Sequence, residues 1–233
     1  MRHIALFAAL CTLLLTGCTS TLPTIDQRPV ALIDWVDFVQ FNGTTYLASH
    51  GEAGRALEEA DLGPEFARVQ FKLAENVNDP GYQSKDGDAA FLERGTSVHT
   101  VRGYQPQFRL AAVRDGQIIL YEADTNPNAK QGADLLDLRD KVASIGVVSA
   151  EDGTTELGVL NDPQQVAALV ELVLAAPVDQ SQPPQDDAGQ NYMIVFHFKD
   201  ATATSRMYWS GSGEMTRGIR LPEEFQKAIQ AAL

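Results

Sequence analysis

Cysteine is nearly absent from this chain of 233 residues, which contains only two, Cys11 and Cys18. Both stand close to the start of the sequence, so everything after Cys18 is free of thiols. A disulfide within that remainder is excluded, as are a cysteine nucleophile and a thiolate metal site. The folded part of the chain must therefore be held together by packing and hydrogen bonds.

Basic residues are also scarce. The sequence has 18 Lys and Arg against 31 Asp and Glu, which gives a formal net charge of −13. Nucleic-acid binding depends on neutralising phosphates with Lys and Arg, and adsorption to anionic lipid headgroups needs the same charges. The composition therefore predicts no nucleic-acid partner and no peripheral electrostatic grip on a membrane.

The motifs of several enzyme classes are missing. There is no H-x-x-x-H, no G-x-S-x-G and no S-x-x-K, and no G-x-G-x-x-G joins a strand to a helix. His50, His99 and His197 lie far apart, and none has a second ligand at metal-site spacing. The sequence thus predicts no cofactor and no metal, and it favours binding over catalysis.

One acidic loop begins like a calcium site. Asp124, Asn126 and Asn128 supply oxygens at alternate positions, but the expected glycine is Ala129 and the expected terminal glutamate is Leu135. The pattern therefore does not predict a calcium site. Carboxylate pairs of the kind used by glycosidases are close in space rather than in sequence, so they stay open here.

An apolar run from Ile4 to Leu15 follows Arg2 and is broken only by Thr12. As a helix this run spans about 18 Å, against roughly 30 Å of bilayer hydrocarbon. It is too short to cross a membrane and predicts the apolar region of a signal peptide. The run ends in Leu15-Thr16-Gly17-Cys18, which resembles the lipobox of bacterial lipoproteins.

This resemblance implies a lipid anchor. In that family the thiol of the lipobox cysteine carries two acyl chains, and the signal peptide is cut just before it. Residues 1–17 are then a signal peptide, Cys18 is the lipid attachment site and residues 18–30 are a flexible tether. The expected location is the bacterial cell membrane or outer membrane, with the domain facing outside the cytoplasm. The remainder of the chain is broadly similar to bacterial lipoproteins of unknown function.

Turn signals predict antiparallel hairpins. Asn42-Gly43 and Asp115-Gly116 each lie between two strand-like runs and favour type I′ turns, because both central residues need a positive φ. Apolar spacing predicts a helix at Glu52–Leu62, ended by Gly63-Pro64, and a short helical turn at Ala89–Glu93.

The last third of the chain suggests two consecutive β-β-α units. Strands at 141–149 and 154–160 precede a helix with Asp162 as its N-cap and Pro163 at its first position. Strands at 192–198 and 205–209 precede a helix opened by Pro222. We therefore expect an α+β fold, with helices packed on one face of an antiparallel sheet, and subdomains at 31–125 and 133–233.

A stretch rich in basic and aromatic residues offers a candidate contact surface. Arg102, Tyr104 and Arg109 stand together in an otherwise acidic protein, and Tyr and Arg are favoured interface anchors. We expect these residues to contact a protein or peptide partner. The alternative is that Arg102 and Arg109 pair with surface carboxylates of this chain while Tyr104 and Phe108 pack in the core.

These observations predict a membrane-anchored extracytoplasmic lipoprotein that binds a protein, peptide or envelope component. Two alternatives stay open. An envelope hydrolase would show two close carboxylates in a cleft, one of them with a strongly raised pKa. A small-solute receptor would show two lobes, whereas a single compact core would count against it.

Overall fold

The computed structural model describes residues 33–49, 54–181, 189–216 and 218–233. The predicted signal peptide and tether, with Cys18, lie outside these residues, and so does His50. From Ile33 to Leu233 the chain forms one compact unit. No helix in the described ranges has the length and apolarity needed to cross a membrane.

The first half of this unit folds into an eight-stranded sheet. Its strands are β1 Phe38–Phe41, β2 Thr44–Ser49, β3 Leu62–Arg68, β4 Phe71–Lys72, β5 Asp88–Ala89, β6 Ser97–Val101, β7 Arg109–Arg114 and β8 Gln117–Thr125. They lie in the order β3-β6-β7-β8-β2-β1-β5-β4. Every pairing is antiparallel except that of β4 with β5.

The eight-stranded sheet curls because its two edge strands are consecutive in the chain. Only Val69 and Gln70 separate the end of β3 from the start of β4. Three Cα–Cα steps span at most about 11 Å, so the opposite edges must come close together. Hydrogen bonds from Val69 N to Thr96 O (3.0 Å) and from Gln70 N to Gly87 O (2.8 Å) hold this connection in place.

The second half forms a six-stranded sheet that is antiparallel throughout. Its strands are β9 Val142–Ser149, β10 Glu156–Leu160, β11 Asn191–Phe198, β12 Ala203–Trp209, β13 Glu214–Met215 and β14 Ile219–Arg220. They lie in the order β10-β9-β11-β12-β13-β14. Two α-helices accompany this sheet, α1 at Pro163–Ala175 and α2 at Glu223–Ala232.

The described part of the chain is mainly β, which corrects the expected α+β class. Antiparallel sheets built from hairpins are confirmed, but these residues form few helices. Where a helix was expected at 52–62, the described residues hold only a 3₁₀ turn, Glu59–Asp61, and the chain then enters β3. Asp61 is drawn into an ion pair with Arg55 (2.7 Å) and accepts a hydrogen bond from Glu58 N. Pro64 is tolerated within β3 because that strand lies at the sheet edge.

A second local expectation is also wrong. Ala89 belongs to β5 rather than to a helical turn, because its strand lies between β1 and β4. Both type I′ hairpins are confirmed. The φ angles are 51° at Asn42 and 72° at Gly43, and 52° at Asp115 and 77° at Gly116.

The first sheet ends with β8 at Thr125 and the second begins with β9 at Val142, yet the two sheets share one core. Leu110 and Tyr121 of the first sheet belong to the same buried apolar cluster as Ile145 and Phe196 of the second. The side chains of α1 and α2 that face inward join this cluster as well. The halves are therefore parts of one compact unit.

The start of α1 confirms its predicted cap. Asp162 accepts a hydrogen bond from Gln165 N at 2.8 Å, and Pro163 occupies the first helical position, where no N–H is needed. We expect Asp162→Ala to lower the free energy of unfolding by about 1 kcal/mol, because a helix N–H loses its acceptor. Urea denaturation would measure this, with Asp162→Asn as the control that still caps. An alanine variant as stable as the asparagine variant would contradict the assignment.

Candidate functional site

A cleft of about 550 Å³ opens between the two sheets. This volume lies within the usual range of small-ligand sites. One side is formed by residues of β2 and β8, and the other by residues of β9, β11 and β12. The principal lining residues are Leu47, Ala48, Glu122 and Asp124 on the first side and Val148, Met193, Val195, His197, Ala203 and Arg206 on the second.

Strand register gives the cleft an apolar floor. Met193 pairs with Val148 of β9, and Val195 and His197 follow it at alternate positions of β11. Paired residues share a face, and alternate residues of one strand share a face, so these side chains point the same way. Ala203, which pairs with His197, completes a small cluster with Val148, Met193 and Val195.

The polar side of the cleft begins with a buried ion pair. Arg109 and Glu122 lie opposite each other across β7 and β8. Arg109 Nε and Nη2 donate to Glu122 Oε1 at 2.9 and 2.7 Å. The start of β12 and the residue before it supply two more acceptors for Arg109, Ala203 O at 2.6 Å and Thr202 Oγ1 at 2.9 Å. Arg109 is 0 % exposed and Glu122 is 5 % exposed.

Arg206 of β12 approaches Glu122 from the second sheet. Arg206 Nη1 donates to Glu122 Oε2 at 3.0 Å, to Thr204 Oγ1 at 2.7 Å and to Ser205 O at 2.8 Å. The Thr204 hydroxyl in turn donates to Glu122 Oε2 at 2.6 Å. Glu122 therefore bridges two guanidinium groups, one from each sheet, and we call Arg109, Glu122, Thr204 and Arg206 the inter-sheet network.

Glu122 is held in its ionised form. Burial acts to raise its pKa, but the charges of Arg206 and Arg109 outweigh burial, so the pKa lies below the ordinary glutamate value. A carboxylate with a lowered pKa cannot serve as a proton donor at neutral pH. The pKa of Glu214 is raised by burial, but Glu214 does not line the cleft. The sign of the pKa shift at Glu122 is thus opposite to the one expected of a hydrolase acid.

The predicted contact residues are not brought together on one surface. Arg102 is exposed and Tyr104 is half-buried, but Arg109 is fully buried and offers no atom to a partner. For Arg109 the prediction is therefore corrected. Its guanidinium carbon lies 4.4 Å from the ring centre of Tyr104 and 4.5 Å from that of Phe198. The alternative of pairing with a carboxylate of this chain describes Arg109, except that the carboxylate is buried.

The other residues considered from the sequence are the histidines and the loop that resembled a calcium site. His99 Nδ1 lies 3.1 Å from Gly63 O, whereas His197 lines the cleft. In the loop that resembled a calcium site, Asn126 Oδ1 accepts a hydrogen bond from Asn128 N at 2.9 Å and so shapes the turn. Across the described ranges, no group of three His, Cys, Asp or Glu residues is placed to hold a metal ion.

Sequence reasoning did not single out Glu122, Met193 or Arg206. One signal was available, because Glu122 interrupts an apolar run in β8 and a buried charge requires a partner. The partner Arg206 lies 84 residues away on another sheet, and no local pattern connects the two.

No protein-family model matches the chain, and no curated protein or solved structure is significantly similar to it. The function must therefore be inferred from the cleft and from the N-terminal motif.

Proposed function

We propose that this chain is a lipid-anchored extracytoplasmic binding module whose ligand binds in the cleft between the two sheets. The resemblance of Leu15-Thr16-Gly17-Cys18 to a lipobox supports the anchor and a location on the bacterial cell membrane or outer membrane. The observation that carries the binding role is the cleft itself, with its volume of about 550 Å³. Its ligand would be a peptide or another small envelope component.

The composition of the cleft supports binding. Ligand sites are usually apolar hollows in which a few fixed polar groups set the orientation of the ligand. Here the floor is the apolar cluster of Val148, Met193, Val195 and Ala203, and the fixed polar group is Arg206. Arg206 is held by three acceptors, so it would lose little freedom when a ligand arrives.

No specific observation favours either of the two alternatives, an envelope hydrolase or a small-solute receptor. Glu122 is already committed to two arginines and has a lowered pKa, which does not suit acid catalysis. A two-lobed solute receptor would require two bodies, whereas Ile33 to Leu233 form one. Binding needs only the shape of the cleft and the donors on its wall.

A single cysteine in the cleft provides the test. Cys11 and Cys18 are the only cysteines, and the anchor consumes the second, so Met193→Cys creates one free thiol in the processed protein. We expect a membrane-impermeant maleimide to label this thiol several-fold more slowly in cells with a permeabilised outer layer than in the purified lipoprotein. The physical reason is that a bound ligand covers the floor of the cleft in the cell.

The control is Glu224→Cys, at an exposed position of α2 away from the cleft. Its labelling rate should be the same in both preparations, and it corrects for reagent access. If Met193→Cys and Glu224→Cys show the same ratio of rates between cells and purified protein, the cleft is unoccupied and the binding proposal fails.

A further inference from the structure

We propose that the cleft binds molecules in which a carboxylate is attached to an apolar group, with Arg206 receiving the carboxylate through its Nε and Nη2 edge. This inference rests on the proposed binding role of the cleft and specifies its ligand class. It follows from the donors that Arg206 leaves open, from the charges around them and from the apolar floor beside them.

Arg206 uses only one side of its guanidinium group. Nη1 has three acceptors, on Glu122, Thr204 and Ser205. Nη2 makes one long contact, to Ala123 O at 3.4 Å. Among the residues that the structure describes, none accepts a hydrogen bond from Arg206 Nε, and the Arg206 side chain lines the cleft. The Nε and Nη2 donors point in parallel and fit the two oxygens of one carboxylate.

This edge is already positioned for a ligand. The Arg206 side chain is 12 % exposed and is fixed from behind by Glu122. Arg109 uses the same two atoms, Nε and Nη2, to hold Glu122 itself. A ligand carboxylate would therefore bind the Nε and Nη2 edge of Arg206 in the way that the Glu122 carboxylate binds the same edge of Arg109.

The surrounding charges restrict the anion. Arg206 shares its ion-pair partner Glu122 with Arg109, and Arg109 also interacts with the charge of Asp200. The positive charge of Arg206 is therefore the attraction that the cleft offers to an anion. Glu156 also lines the cleft. Its negative charge opposes a second negative group nearby, so we expect a single carboxylate to be preferred over phosphate or a dicarboxylate.

The floor determines the rest of the ligand. Val148, Val195 and Ala203 are buried within one small cluster, and Met193 beside them is a flexible side chain that adapts to different apolar shapes. A carboxylate alone would fill little of about 550 Å³. Two kinds of molecule share this chemistry, a fatty acid and the C-terminal end of a peptide with an apolar last residue.

Four probes separate these sources. Octanoate and octanamide differ only in the carboxylate, and N-acetyl-leucine and its amide form the same contrast for a peptide end. Titration calorimetry would use the lipidated protein in nanodiscs, with empty nanodiscs as the blank. We expect the acid of at least one pair to bind about tenfold more tightly than its amide, because only the acid pairs with both donors. The pair with the tighter acid identifies the source.

Variants assign the effect to Arg206. Arg206→Gln should abolish the preference for the acid, while Arg139→Gln, at an exposed ion pair with Glu171, should preserve it. Because Arg206→Gln also alters the inter-sheet network, its thermal unfolding is measured beside the titration. Met193→Trp provides a second variant that leaves the network intact. It should weaken both members of a pair about tenfold by filling the floor, and Met193→Leu should not.

Equal affinity for acid and amide in both pairs would overturn the proposal, and so would a preference that persists in folded Arg206→Gln. No binding of any probe would also overturn it. Protection of Met193→Cys in cells together with equal acid and amide affinities would leave the binding role standing and reject this ligand class. Carboxylate preference without protection in cells would instead count against the binding role.

Discussion

Glu122→Gln should lower the free energy of unfolding by about 3–5 kcal/mol, as expected when one partner of a buried ion pair is removed. The substitution keeps the size and one oxygen acceptor of the side chain, so the loss reports the charge. Arg109 is 0 % exposed and would be left with its positive charge in the core, while Arg206 would lose the same partner. Urea denaturation at neutral pH, followed by circular dichroism, measures the change.

A matched exposed pair is the control for this prediction. Glu171→Gln breaks an ion pair of the same length, 2.7 Å, between Glu171 and Arg139. The side chain of Glu171 is 52 % exposed and that of Arg139 is 62 % exposed. Surface pairs contribute about 0–1 kcal/mol, so the stability of this variant should stay close to that of the parent protein.

Replacing Arg109, Glu122 and Arg206 together by apolar residues should lower the free energy of unfolding less than Glu122→Gln alone, because no charge is left in the core. A Glu122→Gln variant as stable as Glu171→Gln would contradict the network's role.

The lowered pKa of Glu122 adds a pH signature. Because the folded-state pKa lies below the ordinary value of 4.5, the ionised carboxylate stabilises the fold at neutral pH. That contribution is complete above the unfolded pKa and is lost as the pH falls through the folded pKa. The parent protein should therefore lose stability progressively as the pH drops below 4.5. Glu122→Gln has no such group to protonate, so its stability should fall less steeply in acid.

The features that the sequence predicts correctly are those set by local chemistry. Asn42-Gly43 adopts a hairpin turn because its two residues accept positive φ angles, and Asp162-Pro163 starts α1 because the cap and the fixed proline φ act within one turn. The curled sheet was not foreseen. It depends on pairings such as Phe71 with Asp88, whose strands are two residues long and show no alternation.

The placement of Arg109 shows how far sequence reasoning could have gone. Asp115-Gly116 is a two-residue turn, so Arg114 pairs with Gln117, and counting back along both strands pairs Arg109 with Glu122. An opposite-charge pair between two strands that are otherwise largely apolar would have indicated burial rather than a contact surface. The other half of the network comes from Thr204 and Arg206 on a separate sheet. Their approach is set by how the two sheets pack, which no local pattern records.

Cys18→Ser should abolish incorporation of labelled palmitate and shift the protein out of the membrane fraction. Membrane attachment by lipid depends on the number of chains, since each buried CH₂ contributes about 0.8 kcal/mol and a single chain holds only marginally. Without a thiol at position 18 there is no nucleophile for the acyl chains. The apolar run from Ile4 to Leu15 is too short to replace them as a spanning helix. Fractionation after carbonate washing, with palmitate labelling in the same cells, measures both effects.

Cys11→Ser is the matched control, because it removes the only other thiol from the same apolar region. If the lipobox directs the attachment of lipid, Cys11→Ser should remain labelled and in the membrane. Cys18 directly follows Thr16-Gly17, whereas Cys11 directly follows Leu10 and has no lipobox before it. Unchanged membrane retention of Cys18→Ser would refute the lipid anchor, and so would loss of labelling in Cys11→Ser. The same pair of variants also bears on the maleimide experiment, because a Cys18 that carries no lipid would leave a second reactive thiol beside Met193→Cys.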